Sequence, residues 1–324
     1  RAQESAKSRA RRCPCVMDVP ELGDVFVEPC VEGSEYSFSV FSAISYPPSR
    51  KLRWRGTLPV MQTLEKPSAQ KKQSEWSWQW AQFQNEEEWL FLDWIAPNTL
   101  ETFHGKEVLD CGCGGGQHIS IVAPVAKSVT GVDLNAIATA RKNTARFPNV
   151  ALVEADLATM DLQREFDVVY SIGVLHHTDH PDATFTNIVR HCKEGGRVIV
   201  WVYSAEGNAL NRFFLEPLKR AFFRFLPRPL LHALAHALTL FVYLPVYTLY
   251  LLPLPFLPFY EYFGNWRRLS YQRNLLNVFD KLNAPQTWFI PREQIGRWFS
   301  EDVFNDVHIS PYKGVSWRGS GMKR

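Results

Sequence analysis

The run Val108-Leu109-Asp110-Cys111-Gly112-Cys113-Gly114-Gly115-Gly116 passes from apolar residues through an acid into a glycine-dense turn. Glycine adopts dihedrals closed to other residues and lets the main chain approach a ligand closely. A helix starting just after such a turn adds partial positive charge, which suits a carboxylate. A dinucleotide fingerprint would read G-x-G-x-x-G or -A. Counted from Gly112 the sixth position is Gln117, so that match fails. Asp133 and Asp156 follow, each near the end of a further strand-like run. A carboxylate at Asp133 can accept hydrogen bonds from both hydroxyls of a ribose, and Asp156 can receive an exocyclic amine. Loop, Asp133 and Asp156, in that order, predict a nucleoside-containing cofactor along the carboxyl edge of a parallel sheet.

The elements that must position these residues alternate. Short apolar runs predict strands over Glu107–Asp110, Ser128–Asp133, Val150–Glu154, Phe166–Ser171 and Arg197–Tyr203. Helical periodicity fills the gaps at Gln117–Val125, Asn135–Arg146 and Pro181–Cys192, with Pro181 suited to a first turn. Strands separated by helices imply a parallel, doubly wound sheet, which binds ligands at the carboxyl ends of its strands. Upstream, Glu86–Ile95 reads as an amphipathic helix in a tryptophan-rich stretch. Downstream, Pro291–Ser300 reads as a helix, Val303–Ser310 as a strand and Gly314–Arg318 as a short last strand.

Composition is that of a globular protein, with 46% apolar and 21% charged residues in 324. A net charge of +3 gives no argument for a nucleic-acid partner. Six cysteines without disulfide-scaffold spacing favour a reducing, cytoplasmic compartment. Arg1 to Arg12 lacks the apolar core of a secretory signal; its Arg, Ser and Ala content leaves an organelle transit remnant as the alternative.

With these residues in view, the stretch from about Trp76 to Tyr203 resembles a class I S-adenosylmethionine-dependent methyltransferase, in the branch that includes quinone-biosynthesis and other small-molecule enzymes. The resemblance places the amino-acid end of the cofactor on Asp110, Gly112, Cys113, Gly114 and Gly116. It places the ribose on Asp133 and the adenine by Leu134, Asp156 and Leu157. Phe166-Asp167-Val168-Val169-Tyr170-Ser171-Ile172-Gly173-Val174-Leu175-His176-His177 matches the family's fourth strand and loop, with Ser171 and Ile172 at the cofactor. The implied fold is α/β: a Rossmann-like doubly wound seven-stranded sheet with an antiparallel last strand, plus a helical apolar insertion after the fifth strand. The implied cofactor is S-adenosyl-L-methionine.

The loop after the fourth strand bears on the acceptor. Enzymes that methylate nucleobase amines resemble one another in an Asp/Asn-Pro-Pro-Tyr/Phe loop; this chain has Ile172-Gly173-Val174-Leu175. The acceptor expected is therefore a small molecule, methylated at O or C, and not a nucleic acid. His177 and His176 are the titratable residues expected nearest the methyl group, and histidine titrates near neutrality, as a general base requires. The alternative is that the pair packs the loop. Cys111 and Cys113 read as small fillers of the turn.

Four segments result: an irregular 1–75, a methyltransferase core over 76–204, a helical apolar insertion over 205–284, and the last helix and strands over 285–324. In the first, Cys13, Cys15 and Cys30 faintly resemble a degenerate zinc ribbon, but the spacing is wrong, the fourth of four ligands is absent, and no metal is expected. In the insertion, Pro229 to Tyr260 contains no Asp, Glu, Lys or Arg. That exceeds the roughly 20 residues of a membrane span, but Pro245, Pro253, Pro255 and Pro258 predict broken helices. Lys219, Arg220, Arg224 and Arg228 border it on one side and Arg267, Arg268 and Arg273 on the other. This suits a peripheral contact with anionic lipid through 229–260; a buried core or a dimer contact is the alternative. The apolar insertion points to a lipid-like acceptor, with a saccharide or polyketide product as second reading. A catalytically silent S-adenosylmethionine-binding protein is the third.

Overall fold

The structure, a computed structural model, describes residues 16–17, 25–32, 35–41, 75–80 and 87–324, the side chains of Arg224 and of the residues before 42 excepted. It divides into two units, 1–65 and 66–324. In the first, strands β1 (Val16–Met17), β2 (Val25–Glu32) and β3 (Glu35–Phe41) pair antiparallel. Part of the stretch read as irregular is therefore β-structure. The period is present in the sequence of β3, where Tyr36, Phe38 and Val40 alternate with Ser37 and Ser39. Cys13 and Cys15, and with them the zinc-ribbon comparison, lie outside the described residues.

The second unit is built on seven strands: β4 (Glu107–Cys111), β5 (Ser128–Asp133), β6 (Val150–Glu154), β7 (Phe166–Ile172), β8 (Cys192–Tyr203), β9 (Phe304–Tyr312) and β10 (Ser316–Lys323). Their order is β6-β5-β4-β7-β8-β10-β9. Pairing is parallel from β6 to β8, and β10 runs antiparallel to both β8 and β9. Both the doubly wound sheet and its antiparallel last strand are as expected. The order reverses between β4 and β7, so their carboxyl ends open a crevice.

Helices α1 (Glu88–Ile95), α2 (Gln117–Val122), α3 (Ile137–Thr144) and α4 (Pro181–Arg190) precede or separate the parallel strands. Successive residues of each strand point to opposite faces, and both faces are covered. On one, Leu109, Val169 and Val200 pack with Phe185, Ile188 and Trp298. On the other, Val108, Val168 and Tyr170 pack with Phe91, Ile119 and Val122. The last strand is longer than expected because Gly319 and Gly321 interrupt its apolar pattern. They stand where a Cβ would lie 2.5 Å and 3.0 Å from the Phe299 ring. Packing, not strand propensity, places glycine there.

The insertion is helical: α5 (Glu216–Ala221), α6 (Arg228–Val246), α7 (Tyr260–Trp266) and α8 (Tyr271–Asn283), with α9 (Arg292–Trp298) leading back to the sheet. Pro245 falls in the last turn of α6, so that helix runs unbroken for 19 residues; Pro253, Pro255 and Pro258 follow in turns. Leu231 and Ala235 of α6 pack with Leu275, Phe279 and Leu282 of α8 as a third apolar cluster. Several flanking cations are engaged by the protein's own side chains, and of these Lys219 and the Arg273 Nε are buried while Arg268 stays exposed. Lys219 is buried against Glu216, and Arg228 pairs with Glu75 at 3.0 Å. Arg268 lies 3.8 Å over the Trp89 ring, and Arg273 lies over Trp94.

Candidate active site and cofactor cradle

β4 ends in the glycine turn, which enters α2. Gly112, Gly114 and Gly116 all have positive φ, at 88°, 52° and 84°, a region costly for other residues. Close contacts add to the requirement. A Cβ on Gly112 would collide with the Val174 side chain, and one on Gly114 would lie 2.9 Å from the Trp80 indole. Trp80 belongs to a helical segment over 75–80, whose ring thus covers the turn.

Asp133, at the end of β5, holds this turn from the side. Its Oδ2 accepts the Gly114 N–H at 3.0 Å, and its Oδ1 accepts the N–H groups of Asn135 and Ala136 at 2.7 and 2.9 Å. A carboxylate has about four lone-pair sites, so about one remains, on Oδ2, where the sequence suggested two ribose contacts. Burial raises the Asp133 carboxyl above its usual range, and the three N–H donors oppose that shift.

Asp110 is buried on the floor. Its Oδ2 accepts the Tyr170 hydroxyl at 2.8 Å, while Oδ1 has no hydrogen-bond partner. Burial pushes this carboxyl up to about 8. Ser171 donates its hydroxyl to the Cys111 carbonyl at 2.9 Å, joining the two strand ends at the crevice. Cys113 is buried beside them, and burial pushes its thiol well up, which keeps it protonated. Leu134 is exposed, Leu157 is buried, and Asp156 is exposed with Oδ1 accepting the Ala158 N–H.

Next to the cradle, a cavity lies between the sheet edge and the insertion. Gln117, His118, Ile172 and Gly173 form its sheet side, and aromatics such as Trp76 and Trp266 line much of the rest. His177 stands on its wall and His176 does not. His176 has no exposed surface and packs against Tyr203 and Trp201; burial drives its pKa well below the ordinary value.

His177 is set differently. Its Nδ1 lies 2.7 Å from the Gln286 carbonyl, which can only accept, so Nδ1 carries the proton. The lone pair of the neutral ring is then on Nε2, 4.0 Å from Asp280 Oδ2. Asp280, on α8, is itself held by the Tyr203 hydroxyl at 3.1 Å and the Gln79 amide at 3.3 Å. Trp76 packs against the imidazole, 4.8 Å between ring centroids.

Residues 109–200 match a family described as "Methyltransferase domain". The ubiquinone biosynthesis O-methyltransferase of Thiobacillus denitrificans is 32% identical over 131 residues, 39% of this chain and 54% of that one. The demethylmenaquinone methyltransferase of Tropheryma whipplei is 32% identical over 129 residues, 38% and 51% of the two chains. The chain thus spans about half the length of the curated relatives it matches. An O-methyltransferase family structure from Burkholderia thailandensis aligns at a TM-score of 0.44 with 12% identity, covering 72% of this chain and 55% of that one.

Over residues 109–200 this chain is a class I S-adenosylmethionine-dependent methyltransferase domain.

Its cofactor is S-adenosylmethionine, and the methyltransferase core has residues that fit it. The partnerless Oδ1 of Asp110 is a buried acceptor suited to a cationic neighbour. The open site on Asp133 Oδ2 suits a hydroxyl, and exposed Leu134 offers an apolar edge for a base.

Within the methyltransferase core, the structure brings Asp110, the glycine turn, Asp133, Ser171 and Ile172 around the crevice. Asp156 and Leu157 lie just beyond β6. Gln79 carries no local signal that would mark it for the site, and Arg273, read as part of a basic flank, lines the cavity. Arg273 and Asp280 do share a signal: at i and i+7 on one helix they face the same way.

Proposed function

We propose that this chain methylates an oxygen of an apolar, lipid-like small molecule bound in the cavity beneath the insertion. The observation that carries this reading is the slot between His177 Nε2 and Asp280 Oδ2. Two acceptors 4.0 Å apart on a cavity wall call for a donor beside them, and an acceptor hydroxyl can give its one proton to Nε2. S-adenosylmethionine supplies an activated methyl group when bound. The chain's own part is to orient the hydroxyl and take its proton. As the oxygen becomes nucleophilic the proton passes to Nε2, and the Asp280 carboxylate stabilises the imidazolium formed. The Gln286 carbonyl holds the productive tautomer throughout. The aromatic wall supports an apolar acceptor and keeps water from the reacting oxygen.

The test is transfer of a radiolabelled methyl group from S-adenosylmethionine to fractionated cell extract. Label is expected in the lipid-soluble fraction, as a base-stable ether. Label confined to polar fractions would favour the saccharide reading, and cofactor binding without any transfer would leave a silent binding protein.

The reading extends to a lipid surface. Along the insertion Phe213, Phe214, Phe241 and Phe256 are 67%, 70%, 71% and 78% exposed. On α6 the exposed Leu240, Phe241 and Leu244 lie opposite the buried Leu231, Ala235 and Thr239. The inner face of the segment bearing Phe213 and Phe214 contributes Asn211 and Leu215 to the cavity, so the apolar face is continuous with its wall. Arg212 and Arg220 are exposed on the same stretch, where the single acid, Glu216, is buried. That charge balance favours anionic headgroups. Flotation with vesicles containing phosphatidylglycerol is expected to carry the protein, and Phe213→Glu with Phe241→Glu to release it. No flotation, or a dimer in sedimentation that the same changes disperse, would reject the lipid surface in favour of another occupant.

A further inference from the structure

We propose that Arg273 is an anion receptor in the cavity, and that the acceptor therefore carries a carboxylate as well as the hydroxyl to be methylated. This rests on the methyl-transfer reading for the hydroxyl, but the anion site stands on its own observations. Arg273 lies near the start of α8 and on the cavity wall, with its guanidinium 5.3 Å over the Trp94 ring. Its Nε is buried without a hydrogen-bond partner, and no ion pair joins it to a carboxylate among the described residues. Neighbouring cations of the insertion are engaged: Lys219 with Glu216, Arg228 with Glu75, Arg267 with the Tyr250 carbonyl.

A guanidinium presents five N–H donors in a planar fork shaped for a carboxylate. Leaving such a donor buried and unpaired is costly, so the cavity is complementary to an anion at this point. Asp280 and Glu87 act on Arg273 only through space, and burial outweighs them in lowering its pKa. The indole of Trp94 fixes the plane of the fork by cation–π contact.

The helix also sets an order along the wall. Arg273 and Asp280 are seven residues apart on one helix, about 10 Å along its axis at 1.5 Å per residue. Leu276 lies between them on the same wall. The acceptor that fits is an apolar molecule with its carboxylate toward Arg273 and its reacting hydroxyl toward Asp280 and His177. The same fork chemistry can take a second carboxylate, the one on the cofactor, because His118 of α2 also lines this cavity. Arg273 stands on the insertion, on the same helix as Asp280, and this favours the acceptor.

Calorimetry separates the two sources without turnover, so a failed methyl-transfer assay does not affect the result. Dodecanoate is expected to bind the full chain about 10- to 100-fold more tightly than dodecanol, a difference typical of a hydrogen-bonded ion pair. Arg273→Leu should erase that difference and leave S-adenosylmethionine affinity unchanged, while Arg273→Lys should keep part of it. If Arg273→Leu instead weakens S-adenosylmethionine but spares 5′-methylthioadenosine, which lacks the amino-acid end, the carboxylate is the cofactor's and the acceptor assignment is overturned. Equal binding of dodecanoate and dodecanol to the unaltered protein overturns it as well. So does a parallel loss of all four ligands in both variants.

Discussion

Replacing His177 with alanine is expected to slow methyl transfer by about 10²- to 10⁴-fold, the usual contribution of a positioned general base. Cofactor affinity should hold, because none of the bonds that fix Asp133 and the glycine turn involves His177. The pH profile gives a sharper test. Burial lowers the His177 pKa from its ordinary 6.5, and the Asp280 carboxylate opposes that shift. A base must be neutral, so the rate should fall as pH drops through the lowered value, with an acid limb below pH 6.5. Asp280→Asn removes the opposing charge, so the His177 pKa falls further. The acid limb should then move to still lower pH even as the maximal rate drops. Lys219 and Glu216 act on His177 in opposite directions and are paired with each other, so they do not reverse this sign. An acid limb that stays put or moves upward, or an alanine variant with full activity, would remove His177 from the proton path.

The second large effect concerns Asp133. Asp133→Ala is expected to weaken S-adenosylmethionine binding by on the order of a hundredfold or more. It deletes the site offered to the ribose and frees the Gly114 N–H that fixes the turn. Two charged hydrogen bonds at about 1.5–3 kcal/mol each account for that magnitude, at about 1.4 kcal/mol per factor of ten. Asp133→Asn should not rescue binding. Its amide can keep one oxygen toward Asn135 and Ala136, but then sets an N–H against the N–H of Gly114. Calorimetry reads the affinity, and thermal unfolding checks the fold. Losing the bonds to Asn135 and Ala136 should cost about 1 kcal/mol, as for a helix cap. Unchanged affinity in a folded Asp133→Ala protein would dismiss the cradle as described.

The sheet, the cofactor and the place of the cradle were legible in the order of residues alone. These are local matters. Asp110, the glycine turn and its helix lie in one strand–turn–helix unit, and Asp133 and Asp156 repeat the pattern one unit further on each time. Glycine spacing and strand period carry that information without reference to distant residues. Most edges of elements were legible to within a few residues, but β8 starts at Cys192 rather than Arg197, and elsewhere packing overrode propensity. The last strand is the clear case, since Gly319 and Gly321 make room for Phe299 and Phe304.

The acceptor side became readable only through packing across the fold. His176 and His177 are adjacent in sequence and look alike, yet one is sealed against Tyr203 and the other meets the cavity. The partners that distinguish them come from far along the chain: 109 residues separate His177 from Gln286, and Asp280 reaches the same imidazole from α8. The insertion's charges gave the same lesson: Lys219 and Arg273 read as part of a lipid-facing border and fold inward instead. Burial of a charged side chain depends on what the rest of the chain brings to it, because the cost of desolvation is offset only by a specific partner. No local pattern contains that partner, so ligand class and proton path emerge only once the insertion is packed over the sheet.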